Sequence, residues 1–212
     1  MAVRYIAIEG IPGVGKARLA SILGDRLNAR LVLEIAEENP FLPLFYEDPE
    51  RYRFQAQVFF LLNRYRQQQD LHQMDLFQSV VVSNYLFARD GIYAHVALND
   101  AELSLYDRLS QTLREEIPKP DLVIYLQDSI ERVMRNIQRQ GADYERLVTE
   151  EYFARLAEAY THYFFHYSET PLLVVNVSQV NFDKPDDLND LLQQVSSPPS
   201  GTRYYRPASG QG

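Results

Sequence analysis

Short apolar runs alternate along the chain with longer stretches in which apolar residues recur every three or four positions. The clearest runs cover residues 3–8, 31–33, 80–82, 122–126 and 172–175, and all are rich in Val, Ile or Leu. Strands buried on both faces read this way, because helices cover each side of a parallel sheet and leave no polar face. The periodic stretches predict helices over about 49–70, 100–114, 129–139, 150–167 and 186–194. Asp48 is the expected N-cap of the first, with Pro49 in its opening turn. Thr149 is the expected cap of the helix from Glu150, where Tyr152, Leu156, Tyr160 and Tyr163 form an apolar stripe. This alternation predicts a three-layer α/β/α domain over residues 1–195. Ser, Pro and Gly then dominate residues 196–212, which predicts a flexible tail. Its Arg203-Tyr204-Tyr205-Arg206 is a candidate docking segment, set against the plainer expectation of an unstructured chain end.

Composition narrows the function classes. The 212 residues carry a net charge of −8, which argues against non-specific nucleic-acid binding, since that rests on Lys and Arg displacing counterions. There is no cysteine, so disulfides and thiolate metal sites are excluded. The histidines His72, His95, His162 and His166 show no zinc-site spacing, and no metal cluster is expected. The apolar run at the N-terminus is shorter than the core of a signal peptide, and no window has the length of a membrane span. A cytoplasmic protein without a membrane span is expected.

The first apolar run leads into Glu9-Gly10-Ile11-Pro12-Gly13-Val14-Gly15-Lys16-Ala17 and then a helical pattern. This is G-x-x-x-x-G-K between a strand and a helix, the context a phosphate-binding loop requires. Gly10, Gly13 and Gly15 let backbone amides converge on phosphate oxygens, and the helix N-terminus adds positive potential. Lys16 is placed to reach the terminal phosphates. The motif ends in Ala17, where a Ser or Thr hydroxyl is expected to bind Mg²⁺.

The stretch 31–67, LVLEIAEENPFLPLFYEDPERYRFQAQVFFLLNRYRQ, resembles the bacterial deoxyadenosine/deoxyguanosine kinase branch of the deoxynucleoside kinases, and the similarity continues to about Leu192. The resemblance implies a P-loop NTPase-type core with a five-stranded parallel sheet and a helical lid. It also implies ATP and Mg²⁺ as cofactors, transfer of the γ-phosphate to a deoxynucleoside 5′-hydroxyl, and pairing through helices as a dimer. Carried over by position, Glu34 matches the glutamate that accepts the hydroxyl proton, and Tyr46 and Glu145 match the residues on the sugar 3′-hydroxyl. Gln57 matches the glutamine that reads the base. Arg64, two helical turns further along the same face, and Asp90 match the charged pair that completes the pocket.

The phosphate side departs from the family pattern. Asn84 stands where the family has an acid that helps hold the metal, and Tyr85 stands where related branches have Arg. The lid pattern R-I-x-x-R-G-R reads Asn136, Gln140 and Ala142 at its arginine positions, with Arg135 and Arg139 one residue away. A one-residue shift turns a helical side chain by about 100°; Arg139 reaches the phosphates only if the lid rearranges. A well-placed arginine is worth about 10³–10⁵ in phosphoryl-transfer rate. The losses therefore predict weak Mg²⁺ binding and a catalytically impaired, pseudokinase-like subunit. Such a subunit would keep the nucleoside pocket and act through a partner, as a homodimer, a heterodimer with an active paralogue or part of a larger complex. The alternative is a working deoxynucleoside 5′-kinase in purine deoxynucleoside salvage.

Overall fold

β1 (Tyr5–Glu9) is buried at every position and lies at the centre of a parallel sheet. The structure, a computed structural model, describes residues 3–72, 80–140 and 149–207, without the side chains of Glu37, His72 and Gln140. After β1 the chain forms α1 (Lys16–Leu27), β2 (Arg30–Val32), α2 (Leu42–Glu47), α3 (Pro49–Gln69) and β3 (Val81–Ser83). It continues through α4 (Arg89–Ala97), α5 (Asp100–Arg114), β4 (Leu122–Gln127), α6 (Ile130–Gln140), α7 (Glu150–Phe165), β5 (Leu172–Asn176), α8 (Pro185–Ser196) and β6 (Thr202–Tyr205). No described helix is long and apolar enough to cross a membrane.

The sheet order is β2-β3-β1-β4-β5-β6, with every neighbouring pair parallel. The apolar runs thus form the expected strands, each within two residues of its predicted bounds. Because β1 lies between β3 and β4, the chain leaves it in opposite directions, and a crevice opens beyond the carboxyl ends of these strands. α1 contributes Leu19, Ala20 and Leu23, and α7 contributes Phe153, Leu156, Tyr160 and Phe164, to the same core as the sheet. A second cluster of Leu61, Phe87, Ala94 and Tyr106 binds α3, α4 and α5 together. That cluster fixes where the inward-facing residues of α3 and α4 point.

Thr149 caps α7 as expected, accepting from Tyr152 N at 3.2 Å. Asp48 occupies the N-cap position of α3, but its side chain makes no capping bond. The larger correction concerns the chain end. The sheet has six strands, not five: Thr202–Tyr205 pairs with β5 in a register that sets Val175 opposite Tyr205. Residues 197–201 are therefore the connection from α8 back to the sheet, with Gly201 at φ +129°, a backbone conformation that strains any other residue; residues 208–212 of the expected tail lie outside the described residues. β6 carries no apolar period because it is an edge strand in which Tyr205 alone is buried. The Tyr205 hydroxyl donates to Asp190 Oδ2 of α8 at 2.9 Å.

Tyr205→Ala removes a buried ring and is expected to cost about 3 kcal/mol, which lowers Tm by roughly 6–12 °C in a domain of this size. Thermal unfolding followed by circular dichroism checks this; an unchanged Tm contradicts the docked strand.

Candidate active site

The phosphate loop is shaped by close approaches that only glycine permits. Gly10 has φ +148°, and a Cβ there would lie 2.6 Å from Leu126 O of β4. Gly13 has φ +79°, and its Cβ would lie 2.8 Å from Ile137 of α6. Gly15, at φ +99°, opens α1. The Lys16 ammonium is buried and folded onto its own loop, donating to Gly10 O at 2.6 Å and Ile11 O at 3.1 Å. Burial first, and then the Arg89 charge, push its pKa down to about 8 against the pull of Glu9 and Glu34. Glu9 ends β1 with no exposed surface and accepts from Gly10 N, Leu86 N and Tyr160 OH at 2.9, 2.7 and 3.1 Å. Three donors are what a buried carboxylate needs to offset its lost hydration.

Across the crevice, Glu34 follows β2 and receives two arginines. Arg64 of α3 meets one carboxylate oxygen and Arg89 of α4 meets the other. Arg64, 3% exposed, also pairs with Asp90 and lies over the rings of Phe60 and Tyr85. Arg89 donates to Tyr93 OH at 3.0 Å. Burial alone would raise the Glu34 pKa, but Arg64, Arg89 and Lys16 outweigh it and hold the carboxyl at about 2. One cavity of about 950 Å³ joins Glu34, Tyr46, Gln57, Arg64 and Asp90 to Lys16 and the loop glycines Gly13 and Gly15. The two predicted halves of the site thus share one cavity. Glu145 and Ala142, and the Gln140 side chain, lie outside the described residues.

The altered positions have structural roles of their own. Ala17 lines the cavity with a methyl group. Asn84 Oδ1 accepts from Glu34 N at 2.8 Å, so its carbonyl oxygen steadies the backbone of the carboxylate. Asn136 Nδ2 donates to Gly13 O at 3.0 Å and ties α6 to the loop. Arg135 and Arg139 are exposed on α6 and do not line the cavity, whereas Arg132 does, paired with Asp128 at 2.9 Å. Loop amides, Lys16 and the helix N-terminus fit a nucleotide's phosphates. Mg²⁺ in a phosphoryl-transfer site is held largely by the nucleotide's own phosphates with one or two protein oxygens; Ala17 lines this part of the cavity without one.

The fold agrees with a comparison to known proteins. The family profile described as Deoxynucleoside kinase matches residues 6–197. The chain belongs to the deoxynucleoside kinase family. A deoxyguanosine kinase of Bacillus subtilis is 31% identical over 157 residues, 74% of this chain and 76% of that enzyme. A deoxyadenosine kinase of Dictyostelium discoideum is 31% identical over 195 residues, 89% of this chain and 78% of its own. A solved deoxyadenosine kinase from M. mycoides, with dCMP and a flexible dCDP bound, has a TM-score of 0.81 at 22% identity. It covers 91% of this chain and 99% of its own, which establishes the shared fold.

Sequence reasoning missed Glu9, Arg89, Asp128 and Arg132. Arg89 stands next to Asp90 in the first turn of α4, and both are buried. That adjacency is the signal available; a search for arginine confined to position 85 passes over it.

Because Glu34 is held below its ordinary range, its pairing stabilises the folded state above about pH 4.5. That contribution is lost as pH falls through the folded pKa near 2. The shift expresses the preference of the folded site for the ionised over the protonated carboxyl. Denaturant unfolding of wild type and Glu34→Gln is expected to show a stability gap at pH 7 that closes between about pH 4.5 and 2. A gap independent of pH contradicts the pairing.

Proposed function

We propose that this chain is an ATP-dependent deoxynucleoside 5′-kinase with a complete nucleoside half and a weakened phosphate half. The observation that carries this reading is the single cavity holding both Glu34 and Lys16. Glu34 orients the 5′-hydroxyl and accepts its proton. The loose transition state of phosphoryl transfer asks little of that base, so positioning and charge matter more than basicity. Lys16 leaves Gly10 O and Ile11 O and turns to the phosphates, exchanging neutral acceptors for charged ones. Mg²⁺ supplies charge neutralisation in this family's chemistry. With Ala17 and an Asn84 oxygen already engaged, this chain offers it little, and a slow enzyme is expected.

The base pocket favours an amino-bearing base. Asp90 Oδ2 and Gln57 Oε1 are buried without hydrogen-bond partners, and an exocyclic amino group brings donors to such atoms. Leaving a buried acceptor unpaired costs about 1–3 kcal/mol. The kcat/KM for thymidine is therefore expected to fall roughly 10- to 100-fold below that for the best of deoxyadenosine, deoxyguanosine and deoxycytidine. Equal values across the four contradict this assignment.

A second reading is favoured by Ala17, the engaged Asn84 and the outward Arg135 and Arg139. It is an impaired, pseudokinase-like subunit that acts through a partner, as a homodimer or with an active paralogue. A phosphoryl-transfer assay with MgATP separates the two. The kinase reading predicts measurable turnover below about 1 s⁻¹, the lower end for kinases. It also predicts loss of that turnover in Lys16→Ala and a rise of about tenfold or more in the Ala17→Ser, Asn84→Asp double variant. Silence from wild type and double variant alike supports the second reading.

A further inference from the structure

Charged side chains crowd the floor of the crevice: Glu9, Lys16, Glu34, Arg64, Arg89 and Asp90. Their pairings are not equivalent. Arg64 is committed to the base side, where it meets Asp90 as well as Glu34 and lies over Phe60. Arg89 stands between the halves. Its Nη1 meets Glu34, its Nη2 meets Tyr93, and its Nε lies 4.0 Å from Glu9 Oε1 at the root of the phosphate loop. That Nε is buried and makes no hydrogen bond, so its link to Glu9 is an ion pair across 4.0 Å. Position 85, next to Asn84, carries a tyrosine whose ring lies against Arg64, so no other arginine bridges β1 and β2 here among the described residues.

We propose that Arg89 is the positioning residue of this site, aiming the Glu34 carboxylate at the nucleoside 5′-hydroxyl and tying it to the phosphate loop through Glu9. The planar guanidinium presents its donors in a fixed fork, which a lysine cannot copy. Arg64 alone leaves one Glu34 oxygen without its arginine, and the carboxylate then turns toward α3. A carboxylate displaced by about 1 Å costs on the order of 10²-fold in rate while leaving substrate contacts in place. Besides Arg64 and Arg89, the groups facing Glu34 are Lys16, Tyr85 and Tyr93. Arg89 is the one among them joined to both carboxylates.

The inference rests on the kinase reading, and its test separates the two. Arg89→Gln and Arg89→Lys are compared with wild type, using thermal melts to select folded protein. Arg89→Lys serves if Arg89→Gln does not fold. In Arg89→Gln, kcat is expected to fall about 100-fold with the deoxynucleoside KM within threefold of wild type; Arg89→Lys recovers part of the loss. Independently of turnover, ¹³C NMR of the Glu34 carboxyl, assigned with Glu34→Gln, is expected to show titration moved upward by a unit or more. An unchanged Glu34 titration overturns the proposal. So does a raised KM with unchanged kcat, which places Arg89 in ligand binding instead. A silent wild type whose Glu34 titration still moves contradicts the kinase reading and leaves the Arg89–Glu34 coupling supported.

Discussion

Two arginines from different helices converge on one carboxylate at the end of β2, and the arrangement of the crevice depends on that convergence. Glu34 lies two residues beyond β2, a three-residue strand at the edge of the sheet, with little of its own to hold it. Arg64 reaches it from α3 and Arg89 from α4, and those helices are locked to each other by the Leu61, Phe87, Ala94 and Tyr106 cluster. The apolar packing thus sets a polar geometry. A buried ion pair is weak evidence for stability, because desolvation consumes most of the Coulomb gain. What it provides here is direction: a carboxylate fixed from both sides, beside a lysine whose charge it helps maintain against burial.

The two halves of the site have diverged in character. On the side proposed for the nucleoside, Gln57 Oε1 and Asp90 Oδ2 are buried acceptors without hydrogen-bond partners. On the phosphate half, positions 84 and 136 are asparagines whose side chains bond Glu34 N and Gly13 O of the protein itself. Both amides steady backbone that borders the crevice, so the two asparagines have structural roles of their own. On the proposed kinase reading, fewer cations here would lower the rate of the chemistry, since a phosphoryl group in flight is stabilised mainly by the cations around it.

Much of this was legible in the sequence, for reasons that differ by element. The phosphate loop is a local object: its glycines, lysine and flanking strand and helix lie within a few residues, and spacing suffices to recognise them. Gln57 and Arg64 share a helical face, so a seven-residue interval places them together. Arg89 was not legible as a Glu34 partner, because their meeting depends on how α4 packs against α3. β6 was missed because an edge strand with one buried residue has no periodicity to read. The hydrogen bond from Asn136 to Gly13 likewise joins groups 123 positions apart, beyond any local pattern.

The central claim is that the nucleoside half is whole and independent of the altered phosphate half. Isothermal titration calorimetry of wild type with single deoxynucleosides, without nucleotide and with a magnesium chelator present, tests it most directly. The account predicts saturable one-site binding of an amino-bearing deoxynucleoside, abolished in Asp90→Ala and untouched in Lys16→Ala. Absence of binding by any deoxynucleoside, or binding lost equally in both variants, would contradict it.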